Sequence, residues 1–251
     1  MATIQAIYRY PVKGLSPEPL PRALLASGET VPGDRIYAIE NGPSGFDPAK
    51  PYLPKTRFLM LMKNGRLAAL RTAFDQQSHV LTVMRGASIA AAGNLKTSEG
   101  RAAIERYFAE FCADELRGPP KILFAPGHSF SDVARKVVSI INLASVAALE
   151  GAAGAALNPL RFRANLYVEG WPAWSELDLV GNVLAAGPAA RLKVVKRIVR
   201  CAATNVDPQT GIRDLDLPQT LMRTYGHSDC GVYAEVVEGG EIAAGDAIEI
   251  A

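Results

Sequence analysis

The sequence has few of the features that identify the simplest functional classes. Only three cysteines, at positions 112, 201 and 230, occur in 251 residues, and their number and spacing suit neither a disulfide framework nor a zinc knuckle. The longest nearly apolar run, Val137 to Leu149, contains serine and asparagine and is shorter than the roughly 20 residues that a membrane span needs. The first residues, MATIQAIYRYPVKG, lack the basic and then apolar layout of a secretion signal. These absences predict a soluble, cytoplasmic protein with reduced thiols.

An excess of charge of one sign is also missing. The chain has 27 Lys and Arg residues against 25 Asp and Glu residues, a formal net charge of +2. A balance this close to neutral gives no support to nucleic-acid binding. Hydrophobic residues make up 49% of the chain and charged residues 21%, which excludes disorder and predicts a packed globular protein.

The patterns that are present predict an α+β chain that is predominantly β. Strand patterns separated by turn formers fill residues 1–90, among them 67–70 and 80–84. A 3.6-residue apolar spacing predicts a helix over 98–116, capped by Thr97 or Ser98, and a second helix is predicted over 143–156. Strand patterns return after residue 158 without regular alternation of strand and helix, which predicts antiparallel or barrel-like sheet. We therefore expect two units, residues 1–90 and 91–251, with the helical segment 98–116 between them.

A long loop is predicted within the first unit. Residues 41–54, NGPSGFDPAKPYLP, hold four prolines and two glycines, which disfavour both helix and strand. Loops of this length in compact domains are often functional.

The most informative segment is RLKVVKRIVRCAATNVDPQTG, residues 191–211. Basic and apolar residues are interleaved up to Arg200, and Cys201 follows directly, before Thr204 and an Asp-Pro turn. The basic run alone is typical of a strand with a solvated face. Cations beside a thiol, however, favour the ionised sulfur, which binds soft metals or attacks electrophiles. Cys201 is therefore a candidate metal ligand or nucleophile.

The other two cysteines have simpler interpretations. Cys112 lies on the apolar face of the predicted helix, where a thiol packs as a small hydrophobic group. Cys230 lies in HSDCGVY beside His227, a pair that also suits a nucleophile or a metal site. For Cys230 we favour structure or pocket lining.

Cations also occur in three other short segments. Arg161, Arg163 and Asn165 alternate in NPLRFRANLYVEG, so in a strand they would share one face. Two guanidinium groups on one face suit a phosphate or another multiply charged anion, and a solvent-facing strand edge is the alternative. Lys13 and Arg35 stand at strand ends beside turns, in YPVKG and GDR.

Together, and in this order, these segments resemble the MOSC-domain family, which shares a domain with the C-terminal part of molybdenum cofactor sulfurase. The layout is similar to that of the mitochondrial amidoxime reducing component and of bacterial YcbX-like proteins. The resemblance rests on YPVKGL, GDRIYAIEN, FSD at 130–132, NPLRFRANLYVEG, WSELDLVGNVL, RCAATNVDPQTG and YGHSDCGVYAEVVEGGEIAAGDAIEI. It implies an N-terminal β-barrel subdomain, a MOSC β-barrel with a few helices, and a molybdenum cofactor of the molybdopterin type in a cleft between them.

The resemblance also implies roles for individual residues. Cys201 matches the ligand of molybdenum. Asp132 matches an acidic position near the metal, where it would orient a proton or a water molecule; a helix N-cap at Ser131-Asp132 is the alternative. The residues expected to bind the cofactor are Lys13, Gly14, Arg35, Arg161, Arg163, Asn165, Arg200 and Thr204. Gly14 replaces a hydroxyl residue of the eukaryotic reductases, and a glycine lets the main chain approach an anion closely.

The function implied is reduction of small N-oxygenated compounds, such as N-hydroxylated amidines, hydroxylamines or N-oxides. Three cysteines are too few for the four ligands of an iron–sulfur cluster, and we expect no ferredoxin domain after GDAIEI. We therefore expect an external electron donor of the ferredoxin, flavoprotein or cytochrome type. The alternatives are a non-catalytic carrier of cofactor or sulfur, and a site for another anionic ligand without metal.

Overall fold

The computed structural model describes all 251 residues and confirms an α+β fold that is predominantly β. The strands, numbered in chain order, are β1 Thr3–Arg9, β2 Glu18–Leu20, β3 Arg22–Leu25, β4 Tyr37–Asn41, β5 Arg71–Phe74, β6 Val80–Arg85, β7 Ser88–Asn94, β8 Pro120–Phe124, β9 Val138–Asn142, β10 Leu166–Glu169, β11 Val183–Ala186, β12 Ala190–Val199, β13 Asp229–Glu238, β14 Gly240–Ala243 and β15 Ile248–Ile250. The helices are α1 Ser98–Phe111, α2 Leu143–Ala153 and α3 Leu217–Tyr225. None of the three helices combines the length and the apolar character that crossing a membrane requires.

The largest sheet has eight strands in the order β15-β11-β12-β13-β9-β10-β1-β2. Its neighbours are antiparallel except for the parallel pair β9 and β10. The N-terminal strands β1 and β2 thus lie in the same sheet as the C-terminal strands. A three-stranded sheet, β5-β6-β7, and two-stranded pairings of β4 with β8 and of β3 with β14 complete the fold.

The two largest apolar clusters stabilise these sheets, because burial removes their side chains from water. A cluster of 20 buried residues packs against the large sheet, and a cluster of 16 lies between β5–β7 and α1. Strand β12 shows how the pattern works: Leu192 and Val194 are buried, whereas Lys193 and Lys196 are exposed. The basic run therefore has the solvated face that its alternation predicts.

Helix α1 has one of the two predicted caps but is shorter than predicted. The Thr97 hydroxyl accepts a hydrogen bond from the Gly100 N–H at 3.0 Å, which satisfies one free donor of the first turn. The α-helix ends at Phe111, and a separate 3₁₀ turn follows over Ala113–Glu115. The strand predicted over 67–70 is wrong: a 3₁₀ helix, Gly65–Ala69, occupies it. Residues 42–54 form no helix or strand, as their prolines predict.

The segment before β10 corrects a more important expectation. Asn158 caps a 3₁₀ helix over Pro159–Phe162 by accepting from the Leu160 N–H at 3.0 Å. Proline suits the first position of a helix because it lacks the N–H that would stay unpaired there. Arg163 then has a φ of 51° and reverses the chain, so the strand begins only at Leu166. Arg161 and Arg163 therefore do not share a strand face.

Candidate functional site

One cleft brings together segments from distant parts of the chain. Strand β1 leads into it at Lys13, β12 leads into it at Cys201, and the turn before β10 supplies Arg163. All ten of the predicted site residues line this cleft: Lys13, Gly14, Arg35, Asp132, Arg161, Arg163, Asn165, Arg200, Cys201 and Thr204. It also contains Asp34 and Lys55, two charged residues that the sequence patterns did not single out.

The charge of the cleft is strongly positive, although the chain as a whole is nearly neutral. Six cationic side chains line it, Lys13, Arg35, Lys55, Arg161, Arg163 and Arg200, but only two carboxylates, Asp34 and Asp132. A concave surface that concentrates one sign of charge attracts ligands of the opposite sign.

Two lysines share the carboxylate of Asp132. Lys13 Nζ lies 2.6 Å from Oδ1 and donates a second hydrogen bond to the Phe130 carbonyl at 2.9 Å. Lys55 Nζ lies 3.1 Å from Oδ2 and 3.5 Å from Sγ of Cys201. This chain of contacts joins the two lysines and one carboxylate to the only thiol that lines the cleft.

The charges of this group are coupled. Partial burial would raise the pKa of the Asp132 carboxyl, but Lys13 and Lys55 outweigh it and hold that pKa well below its usual range. Burial would lower the pKa of Lys55, yet Asp132 and Cys201 outweigh burial and raise it. For Lys13, which is more deeply buried, burial prevails over Asp132 and its pKa is lowered. Asp132 is therefore ionised at neutral pH, which suits an orienting role better than proton donation.

The alternative interpretation of Asp132 as a helix cap is wrong. No helix follows it, since the chain bends over residues 132–135 and then enters β9 at Val138. Asp132 forms ion pairs with the ammonium groups of Lys13 and Lys55, and it does not accept from the free backbone N–H groups of a helix.

Arg35 and Arg163 both lie over the ring of buried Tyr10. Their guanidinium carbons are 4.8 Å and 4.3 Å from the ring centroid, within the range of cation–π attraction. Arg35 is paired with the Asp34 carboxylate and donates to the Arg163 carbonyl at 3.1 Å. Arg163 donates to the Leu15 carbonyl at 2.7 Å and forms no ion pair with a carboxylate. Burial lowers the pKa of Arg163.

Cys201 differs from the other two thiols in its exposure. It is half-buried, whereas Cys112 and Cys230 are buried, and burial raises the pKa of each of these two to about 12. The Thr204 N–H and hydroxyl both donate to the Cys201 carbonyl at 3.0 Å. Thr204 therefore shapes the turn that presents the thiol.

Arg161 has a different set of partners from the one expected of a ligand-binding residue. Its side chain is 2% exposed and holds Asp214 through two hydrogen bonds, of 2.8 and 2.6 Å. A third contact, of 3.2 Å, reaches Asp207. A bidentate arginine–carboxylate pair is among the stronger polar contacts in proteins. Arg161 thus fastens the loop that begins at Cys201.

Two further predicted residues, Asn165 and Gly14, owe much of their geometry to the fold. The Asn165 side chain accepts from Ser139 and donates to the Tyr8 carbonyl at 3.1 Å, which joins β9 to the start of the chain. Gly14 has a φ of 84°, and a Cβ there would lie 2.9 Å from the Leu59 carbonyl oxygen. Its lack of a side chain is therefore required by packing and backbone conformation.

Arg200 retains an unused donor. It donates to the carbonyls of Cys230 and Phe162 at 2.7 and 3.0 Å, and its Nη2 atom is buried without a hydrogen-bond partner. Buried polar groups are nearly always paired in folded proteins. An unpaired guanidinium nitrogen in the wall of a cleft is consistent with a missing acceptor.

Of the charged residues not anticipated, Lys55 is the more informative. It lies in the short helical turn Lys55–Arg57, directly after the proline-rich loop. That loop was the only signal, because lysine in a loop is ordinarily solvated. Asp34 could be inferred only as part of the GDR turn.

The fold is rich in β-strands, and its cleft gathers cationic side chains around one thiol. The chain belongs to the MOSC family: the family model described as MOSC domain matches residues 120–249, and the MOSC N-terminal beta barrel domain matches residues 1–113. This family is linked to molybdenum cofactor binding. No curated protein matches the sequence.

Three solved structures align with this chain at low sequence identity and low TM-score. The YuaD protein from Bacillus subtilis is 13% identical over 98% of this chain and 93% of its own, with a TM-score of 0.46. YiiM from Geobacillus stearothermophilus is 22% identical and YiiM from Escherichia coli 20%, with TM-scores of 0.36 and 0.33. Each YiiM alignment covers 45% of this chain and 53% of the other, so this chain spans about half of their length.

Proposed function

We propose that the protein binds a molybdenum cofactor of the molybdopterin type and reduces small N-oxygenated compounds with electrons from a separate donor. The observation that carries the proposal is the convergence of Cys201 with an excess of cations in one cleft. A pterin dithiolene with a terminal phosphate is a polyanion, and such a ligand would neutralise charges for which the fold has no partner.

The residues of the cleft fit this cofactor on three observations. Arg163 has no carboxylate partner, and Arg200 has a buried donor without an acceptor. The structure contains no cluster of three or more His, Cys, Asp or Glu side chains that could hold a bare metal ion. A metal that arrives chelated by its own dithiolene needs only one further thiolate, and Cys201 supplies one sulfur.

The residues then divide into three roles. Cys201 would ligate the molybdenum, which when bound supplies the two-electron exchange needed to remove oxygen from the substrate. Arg35, Arg163 and Arg200 would hold the anionic end of the cofactor, with Lys13 and Gly14 beside them. Asp132 orients the lysine nearest to the thiol. Arg161, Asn165 and Thr204 position the segments that carry these groups.

Metal content in two hosts tests the proposal. The protein is produced in a host that synthesises the cofactor and in one that does not, and bound molybdenum is measured for the wild type and for Cys201→Ser. We expect molybdenum only in the wild type from the first host, and reduction of N-oxides or N-hydroxylated amidines when a chemical electron donor is added. Absence of molybdenum from both preparations would contradict the proposal. Bound molybdenum without reduction of any substrate would favour a carrier of the cofactor.

A further inference from the structure

Lys55 is a charged group of the cleft that neither the fold nor the cofactor accounts for. It belongs to the short turn Lys55–Arg57, which contains no buried residue. Its side chain is 29% exposed, against 6% for Lys13. A lysine in such a turn is usually directed fully to water, because the ammonium group is strongly hydrated.

The carboxylate of Asp132 does not need Lys55 as a counterion. Lys13 already lies 2.6 Å from that carboxylate, so the second lysine leaves the group of three with a surplus positive charge. A partly exposed ion pair contributes little to stability. Stability of the fold therefore gives no strong reason for a second lysine at this place.

The position of the ammonium group supplies a reason. An ammonium has three N–H donors, and the two contacts of Lys55 are with Asp132 and with Sγ of Cys201. One donor remains, on the lysine that solvent and small molecules can reach. The two lysines therefore differ: Lys13 is enclosed in the protein, whereas Lys55 is partly exposed and lies beside the thiol.

We infer that Lys55 forms an oxygen-binding subsite beside Cys201, in which it donates a charge-assisted hydrogen bond to a negatively polarised oxygen of the ligand. In an N-oxide the oxygen carries formal negative charge, and an ionised donor binds such an acceptor about twice as strongly as a neutral one. Asp132 acts as a positioning residue that holds Nζ beside the sulfur. The identity of the ligand as an N-oxygenated compound rests on the proposed function, whereas the subsite itself does not require the cofactor.

Alkylation of the cofactor-free protein tests the subsite directly. Iodoacetate is an anion and iodoacetamide is neutral, yet both react with the same ionised sulfur, so the ratio of their rates is independent of the ionised fraction of the thiol. The buried Cys112 and Cys230 should not react, and Cys201→Ser should abolish modification. In Lys55→Met we expect the ratio of the iodoacetate rate to the iodoacetamide rate to fall about fivefold. This is the effect of one charge roughly 4 Å from the reacting sulfur in a water-filled cleft.

Two variants serve as controls. Lys55→Arg keeps the charge and should keep most of the ratio. Lys63→Met removes an exposed lysine that follows cleft residue Met62 and makes no ion pair, so it should leave the ratio unchanged. If the ratio of rates in Lys55→Met equals that of the wild type, the inference is overturned, regardless of the activity of the cofactor-bound protein.

The loaded protein tests the identity of the ligand. Lys55→Met should retain the molybdenum content of the wild type, while the KM and the calorimetric Kd for an N-oxide rise about tenfold, as expected for loss of a hydrogen bond from a charged donor. Lys55→Arg should restore most of that affinity. If the wild type reduces the N-oxide and Lys55→Met shows unchanged KM and Kd, the subsite inference fails and the proposed function stands. If the wild type retains no molybdenum, the proposed function fails and the alkylation ratio alone decides the subsite.

Discussion

Arg161 and the two lysines beside Asp132 hold their positive charges in different ways. Arg161 is enclosed and paired with two carboxylates, Asp207 and Asp214. Lys13 and Lys55 share a single carboxylate. The comparison separates charge that is used to build the site from charge that remains for a ligand. Counting basic residues in the sequence does not make this distinction. Whether a cation is paired depends on where the fold places the acidic residues of other segments.

Replacement of Arg161 should have the largest effect on stability. Arg161→Met leaves two carboxylates without their cation at the end of the Cys201 loop. Removing one partner of a buried pair is strongly destabilising, and since Asp207 and Asp214 are partly exposed we expect about 2–3 kcal/mol. Urea unfolding measures this loss.

Arg163→Met provides the matched control, because it removes an arginine only two positions away. Arg163 has no carboxylate partner, so the loss of its hydrogen bond to the Leu15 carbonyl and of its contact with the Tyr10 ring should cost only about 1–2 kcal/mol. The molybdenum content of this variant should nevertheless fall clearly below that of the wild type, although its free energy of unfolding changes less than that of Arg161→Met. Equal destabilisation by the two substitutions would break the comparison between a structural and a ligand-binding arginine.

The contrast between these arginines also shows how far the sequence could be interpreted. Alternation in NPLRFRAN predicts a shared strand face, yet the Asn-Pro pair starts a 3₁₀ helix and Arg163 reverses the chain. The acids that neutralise Arg161 lie more than forty residues further along. No local pattern contains such a pairing, so the two roles could not be separated without the fold.

The strands of the large sheet were easier to predict than the site. Alternation in β12 directly reflects one buried and one solvated face, so Leu192 and Lys193 could be assigned from their types alone. The position of Lys55 could not be predicted in this way, since it depends on how the proline-rich loop folds back toward Asp132 and Cys201. Residues whose role follows from a repeating pattern are predictable, whereas residues whose role follows from one long-range contact are not.

A backbone change at Gly14 should have an intermediate effect. Gly14→Ala forces a side chain onto a φ of 84° and places its Cβ 2.9 Å from the Leu59 carbonyl oxygen, so we expect about 2 kcal/mol of destabilisation in urea unfolding. Gly28→Ala is the control, because Gly28 has a φ of 73° but no atom within 4 Å of the added Cβ. That variant should lose only about 1 kcal/mol. If both lose the same amount, close packing at Gly14 is not what requires glycine.

The smallest expected effect concerns the pH dependence contributed by Asp132. The pKa of Asp132 in the folded protein is well below the ordinary value of about 4. Its ionic contacts therefore stabilise the fold fully at pH values above that ordinary pKa. The stabilisation is lost as the pH falls from there toward the lower pKa of the folded state. The difference in unfolding free energy between wild type and Asp132→Asn should thus be largest near neutrality and shrink below about pH 4. Because the Asp132 side chain is 42% exposed, solvent screening limits this difference to about 1 kcal/mol. Asp178→Asn, which disrupts a surface pair with Arg197, should show almost no such trend. A difference that stays constant from neutral to acid pH would mean that the two lysines do not hold the Asp132 carboxylate in its ionised form.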